Sequence, residues 1–155
     1  MLASALLGLL LLVQASNAAP ERFFVGRTAG TGTIHVILSG QHGFRARSVG
    51  RVDRSGALVL DQTVEEVGKP ARRRIWRLVR SGRNRISGTL SDARGPISGE
   101  IAGRVLSLRY TLAEGSNVEQ RITFDPGGRT ARNRMTLRRF GLTVATVEET
   151  IRRLD

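Results

Sequence analysis

The sequence predicts an all-β domain, an antiparallel meander closing into a barrel. Three observations point there. Apolar and polar residues alternate with a period near two, Gly- and Pro-bearing turn signals recur at short spacing, and helical periodicity is credible only at the C-terminus. A two-sheet β-sandwich is the alternative arrangement of the same strands.

Taken in order, Thr33 to Ser39 sets Ile34, Val36 and Leu38 on one face against His35 and Ile37. Ala57 to Val67 places Leu58, Leu60 and Val64 opposite Asp61 and Glu65. Arg72 to Arg80 interleaves Arg73, Ile75, Arg77 and Val79 with Arg74, Trp76, Leu78 and Arg80. Val105 to Leu112 alternates most cleanly, with Leu106, Leu108, Tyr110 and Leu112 facing one way and Ser107, Arg109 and Thr111 the other. Val118, Ile122 and Phe124 oppose Glu119, Arg121 and Thr123 in the next segment. Thr130 to Phe140 and Leu142 to Ile151 close the chain, with Val144 to Leu154 readable as a last helix or a last strand. Each segment has the apolar-in, polar-out pattern of a half-buried antiparallel strand.

Between them lie turn signals: Ser39-Gly40, Arg54-Ser55-Gly56, Gly68-Lys69-Pro70, Ser81-Gly82, Arg94-Gly95-Pro96, Ala102-Gly103 and Asp125-Pro126-Gly127-Gly128. Closing the meander removes edges that would otherwise template aggregation, which favours a barrel of roughly eight to ten strands. No linker or internal repeat divides residues 19–155, so they form one domain.

Residues 1–18 read as a signal peptide. Leu2 to Val13 is almost wholly apolar, Gln14 to Ala19 is small and polar, and Ser16-Asn17-Ala18 places cleavage after Ala18, with Val13-Gln14-Ala15 as a second option. No Lys or Arg precedes the apolar run. A retained anchor is the competing reading, but a spanning helix wants about 20 apolar residues. An exported protein, periplasmic or held at the envelope, is expected.

Composition narrows the function classes. The chain has no cysteine, which excludes disulfides, thiol catalysis and thiolate-bound metal. Its formal charge is +12, carried by arginines and the single lysine Lys69, and an anionic membrane surface is one partner such charge attracts. Apart from Arg72-Arg73-Arg74 and Arg132 to Arg139, the arginines are scattered. With one Trp, one Tyr and five Phe, aromatics are too few for a base-stacking platform, so nucleic acid is not expected as a partner.

No catalytic constellation assembles, and the protein is not expected to be an enzyme. His35 and His42 are the only histidines, short of the convergent ligands a zinc site needs; His35 reads as a wall residue and His42 as a turn residue. Ser87 and Ser98 lack the strand-to-helix elbow of a nucleophilic serine. Gly26, Gly30 and Gly32 precede a strand rather than a helix, so they do not form a phosphate loop. Asp61, Glu65 and Glu66 are expected to pair with arginines in solvent. Neither metal nor cofactor is expected.

Phe23-Phe24-Val25-Gly26, the stretch from Gly50 to Asp61, Arg74-Ile75-Trp76-Arg77-Leu78 and Gly88-Thr89-Leu90-Ser91-Asp92 form an ordered series. The series continues through Gly99 to Leu106-Ser107-Leu108-Arg109-Tyr110-Thr111-Leu112, then Phe124-Asp125, Asn133-Arg134-Met135 and Phe140-Gly141. In order and spacing it resembles the bacterial family DUF3833, found on envelope-targeted proteins. The resemblance implies a lipocalin-like β-barrel and a lipid or fatty-acyl ligand. The chain lacks the family's lipoprotein cysteine, and Pro126-Gly127-Gly128 replaces an acidic-aromatic segment. On the binding reading, Trp76, Tyr110 and Met135 form apolar walls while Arg74, Arg109 or Asn133 meets a polar head. The alternative is a scaffold whose basic surface docks on anionic lipid, glycan or protein. The sequence does not indicate an oligomeric state.

Overall fold

The computed structural model describes residues 19–155. The leader and its processing site after Ala18 lie outside the described residues. Ten strands follow in chain order: β1 (Gly26–Val36), β2 (Gly40–Val52), β3 (Leu58–Glu66), β4 (Arg72–Arg80), β5 (Arg85–Leu90), β6 (Ala93–Ala102), β7 (Val105–Leu112), β8 (Asn117–Phe124), β9 (Thr130–Arg139) and β10 (Leu142–Arg153). Each is antiparallel to the strand before it. β1 also pairs with β10, Thr28 opposite Arg153 and Val36 opposite Ala145, so the sheet closes into a barrel. No unpaired edge is left among the described strands, and the sandwich arrangement is excluded.

The inward face follows the alternation. Arg74, Trp76 and Leu78 point inward from β4, and Leu106, Leu108 and Tyr110 from β7. The C-terminal segment is strand, not helix, because Ala145, Val147, Glu149 and Ile151 are buried at period two. Two further expectations are corrected. Gly26, Gly30 and Gly32 lie inside β1 rather than before it. Leu38, expected to share the core face of Ile34 and Val36, sits in the β1–β2 turn with φ 69° and is fully exposed.

The two ends of the barrel differ. At one end a 3-10 turn, Pro20–Phe24, folds across the opening. Phe23, Phe24 and Phe124 meet there, with ring centroids 5.2 to 5.9 Å apart. All three are buried, worth about 1.5–3 kcal/mol each in surface removed from water. Gly50 makes the approach possible: a Cβ there would lie 1.8 Å from the Phe24 carbonyl oxygen. Arg80 ties the turn down, donating to Glu21 through Nε (2.5 Å) and Nη2 (3.1 Å). The turns β2–β3, β4–β5, β6–β7 and β8–β9 surround this closed end. The departure Pro126-Gly127-Gly128 lies in the last of them.

The outer wall carries the arginines. Arg73 pairs with Asp61 at 2.6 Å, Arg138 with Glu119 at 3.1 Å and Arg134 with Glu148 at 3.3 Å, all exposed. Solvent screens such pairs, and they add little to stability. Arg72 stands at the barrel's open rim, Arg73 faces out and Arg74 faces in.

Candidate functional site

A cavity of about 300 Å³ occupies the half of the barrel away from the aromatic plug. Its walls are apolar, with Ile34 from β1, Phe44 from β2, Val64 from β3, Met135 and Leu137 from β9, and Val147 from β10. Its floor is polar, made of Gln62, Arg74, Gln120, Asn133 and Glu149, with Trp76 among them. Below, a void of about 40 Å³ continues past Trp76 and Asn133 toward Phe24. His42, Glu66, Lys69, Arg72 and Glu114 stand at the mouth.

Each floor residue is placed by strand alternation and held by a neighbour. Trp76 Nε1 donates to Gln62 Oε1 at 3.0 Å. Arg74 lies 5.2 Å over the Trp76 ring and pairs with Asp92 at 3.0 Å. Behind Trp76, Tyr110 packs edge-on at 5.5 Å, and its hydroxyl donates to Gln120 Oε1 at 2.9 Å. Burial pushes the Tyr110 hydroxyl up to about 12, against the opposing pull of Arg74, so it remains a donor at physiological pH.

Asn133 and Glu149 form the least saturated part of the floor. Asn133 Nδ2 donates to Glu149 Oε2 at 2.8 Å, while the buried Asn133 Oδ1 has no partner. Burial raises the Glu149 carboxyl above its ordinary value, and the bond from Asn133 and the charge of Arg74 offset only part of that. The carboxylate fits because Gly30 lies beneath it; a Cβ on Gly30 would stand 1.9 Å from Glu149 Oε1. An unpaired acceptor beside a desolvated acid can receive a donor from a bound molecule.

At the mouth, His42 Nε2 lies 3.1 Å from Glu66 Oε2, and Lys69 reaches the same oxygen at 2.9 Å. Burial alone pushes Glu66 up, but the Lys69 and His42 contacts more than offset it and hold it ionised. His42, read in sequence as a turn residue, is thus part of β2 and faces the mouth.

Of the residues singled out in sequence, Arg74, Trp76, Asn133 and Met135 line the cavity, and Tyr110 backs it. Arg109 does not belong with them. It is exposed on the outer wall, opposite Glu119 on β8, because it is out of phase with Leu108 and Tyr110. Glu149, Gln62 and Gln120 were not anticipated. The signal for Glu149 is its phase with Val147 and Ile151, legible only once the segment is taken as a strand.

The fold has counterparts among solved structures. An S-type phycobiliprotein lyase CPES from Guillardia theta superposes with a TM-score of 0.67 at 10% identity, covering 87% of this chain and 92% of that one. Rv2717c from M. tuberculosis gives 0.68 at 15% identity, covering 86% and 94%. Both are similar in fold, the lipocalin-like barrel. No curated protein matches the sequence. Residues 13–153 match the family described as "Protein of unknown function (DUF3833)", and the chain belongs to that family.

Proposed function

We propose that this barrel is an exported carrier for a small amphipathic, lipid-like molecule, held with its apolar body against Ile34, Val64, Met135 and Val147. The observation that carries the reading is the cavity itself. At about 300 Å³, with apolar walls and a few convergent polar groups, it falls at the lower edge of the range for small-molecule sites. A scaffold needs no such space. The floor favours a molecule whose buried end donates a hydrogen bond. Arg74 is already paired with Asp92, leaving Asn133 Oδ1 and the Glu149 carboxyl as acceptors. A carboxylate placed there would face Glu149 with no free cation beside it. The leader read in residues 1–18 supports a site of action outside the cytoplasm.

Trp76 is the chain's single tryptophan and lies on the floor, so its fluorescence reports occupancy. Titration with 1-dodecanol or dodecylamine, below their aggregation thresholds, is expected to change Trp76 emission saturably and more tightly than dodecanoate does. Ala46→Phe, which fills the cavity from its wall, is expected to abolish the response while leaving the fold intact. No saturable response to any of the three, together with no co-purifying molecule in native mass spectrometry of protein from its own envelope, would sink the carrier reading.

A further inference from the structure

At the cavity end of the barrel, the turns carry apolar side chains that the fold does not bury. Leu38, in the β1–β2 turn, and Phe140, in the β9–β10 turn, are fully exposed. Ile37, Val67 and Leu142 beside them are exposed as well. The two hairpins are neighbours, since β1 pairs with β10 and the Ile37 N–H donates to the Val144 carbonyl oxygen at 3.0 Å. Leu38 and Phe140 are also the two non-glycine residues with positive φ among the described residues, at 69° and 50°. Left-handed backbone disfavours both side chains. The two-residue turn Phe140-Gly141 has the positive φ values of a type I′ hairpin, whose first position ordinarily takes Asn, Asp or Gly. Neither residue helps its turn form, and neither packs on the core. Packing and turn chemistry therefore leave both side chains without a role inside the molecule.

We propose that these tips insert into an anionic lipid bilayer and dock the barrel with its mouth against the membrane. Lys69, Arg72, Arg138 and Arg139 stand on the same rim, where they outnumber the carboxylates they pair with (Glu66, Glu119 and Glu114), and the chain as a whole carries +12. The net charge draws the protein to anionic headgroups, while two single protruding side chains at the rim reach below them and set which end inserts. A second copy of the chain is the poorer occupant. It would bring another +12 to the interface, and separate protruding tips make no flat patch to pair. The geometry also sets an orientation, because Ala19 and the aromatic plug are at the opposite end. A tether at residue 19 would hold the closed end to the membrane; the tips hold the open one.

The chain has no cysteine, so single Cys substitutions can be labelled with an environment-sensitive dye without interference. Full-length Leu38→Cys, Phe140→Cys and, at the closed end, Arg54→Cys would be mixed with phosphatidylcholine vesicles, with and without phosphatidylglycerol, at about 0.15 M salt. Blue-shifted emission at positions 38 and 140 but not 54, only with the anionic lipid, is expected. Unlabelled Leu38→Asn with Phe140→Asn keeps residues that tolerate left-handed backbone. It is expected to lose roughly tenfold or more in vesicle partitioning, with no fall in thermal midpoint. Three results would overturn the proposal: a shift at 54 instead of 38 and 140, undiminished partitioning of the double Asn variant, or a wild-type dimer in sedimentation that this variant dissolves without any vesicle binding. Because none of these readouts involves Trp76 or a cavity ligand, failure here is distinguishable from failure of the carrier reading.

Discussion

The closed and open ends of the barrel are built from the same ten strands but solve opposite problems. At the closed end, Phe23, Phe24 and Phe124 turn inward and a short N-terminal segment is clamped over them by Glu21 and Arg80. At the open end, the aromatic and aliphatic residues of the turns point into solvent, and the interior beneath them is hollow. Aromatic packing is therefore concentrated at one end and the two fully exposed turn residues with left-handed backbone at the other, although the closed end also exposes Val49, Val52 and Leu154 and leaves Arg153 Nε without a partner. Such a division is expected where a rigid base supports a site that must open to a ligand.

The contrast predicts a steep gradient of mutational cost along the barrel axis. Phe124→Ala, in the plug, is expected to cost about 3–5 kcal/mol in chemical denaturation, as for other buried aromatics. Trp76→Ala, in the floor, is expected to fall in the same range, reduced to the extent that the cavity above it already lacks packing. If Phe124→Ala cost less than about 1 kcal/mol, the aromatic cluster would not be the structural base described here.

The clamp comes next in size. Glu21 is buried, while Arg80 is about one-third exposed, so solvent screens part of their attraction. Arg80→Ala should cost about 1–2 kcal/mol, less than a fully buried charged pair. The same substitution at Arg134, paired with Glu148 on the outer wall, should be nearly silent in the same denaturation measurement. Equal losses at Arg80 and Arg134 would erase the distinction between a clamp and a solvated pair.

Glu149 supplies a test of the floor that depends on pH. Its carboxyl is raised by burial, with Asn133 and Arg74 the groups facing it. A carboxyl raised in the folded state favours folding below its unfolded value, and that contribution fades as pH rises through the folded value. Glu149→Gln keeps the shape and cannot ionise. Its thermal midpoint relative to wild type should rise from about pH 4 to about pH 8, since all other carboxylates are shared. A difference that stays constant over that range would mean that burial does not raise the Glu149 carboxyl.

How much of this was legible in the sequence varies with the strand. β7 could be read outright, because Leu106, Leu108 and Tyr110 are large, apolar and inward with nothing polar among them. β1 could not, because its inward positions include Gly30 and Gly32. Those glycines make room for Glu149 and for the Phe44 ring, and so leave no side chain to declare a phase. β6 is broken by a register shift between Arg94 and Ser98, around Pro96. The site suffered for related reasons. Arg74 is recognisable as a polar residue in phase with Trp76 and Leu78, whereas Asn133 stands out only within the Asn133-Arg134-Met135 stretch of the family resemblance. Glu149 was hidden in a segment that reads as helix or strand until its partners on β1 and β9 are known. Closure between the two ends of the chain is a long-range fact, which local alternation does not encode.

A small effect at the open end separates the two ends most sharply, because it has the opposite sign. Phe140 holds φ at 50° in a type I′ turn, exposed and unpacked. Replacing it removes no buried surface, so there is no cavity term to oppose the gain. Phe140→Asn produces Asn-Gly, the favoured pair for this turn, and Asn accepts left-handed backbone without the entropy that glycine adds to the unfolded chain. The variant is expected to be more stable than wild type by about 0.5–1 kcal/mol, near the size of other backbone-matching substitutions. Denaturant midpoints with unchanged m-values would measure it. A loss of stability would mean that Phe140 packs on the barrel after all, and its exposure could then no longer be read as a surface kept for something outside the molecule. A gain in stability accompanied by loss of vesicle binding would show that the wild-type chain keeps a strained residue at its mouth at the expense of its own fold.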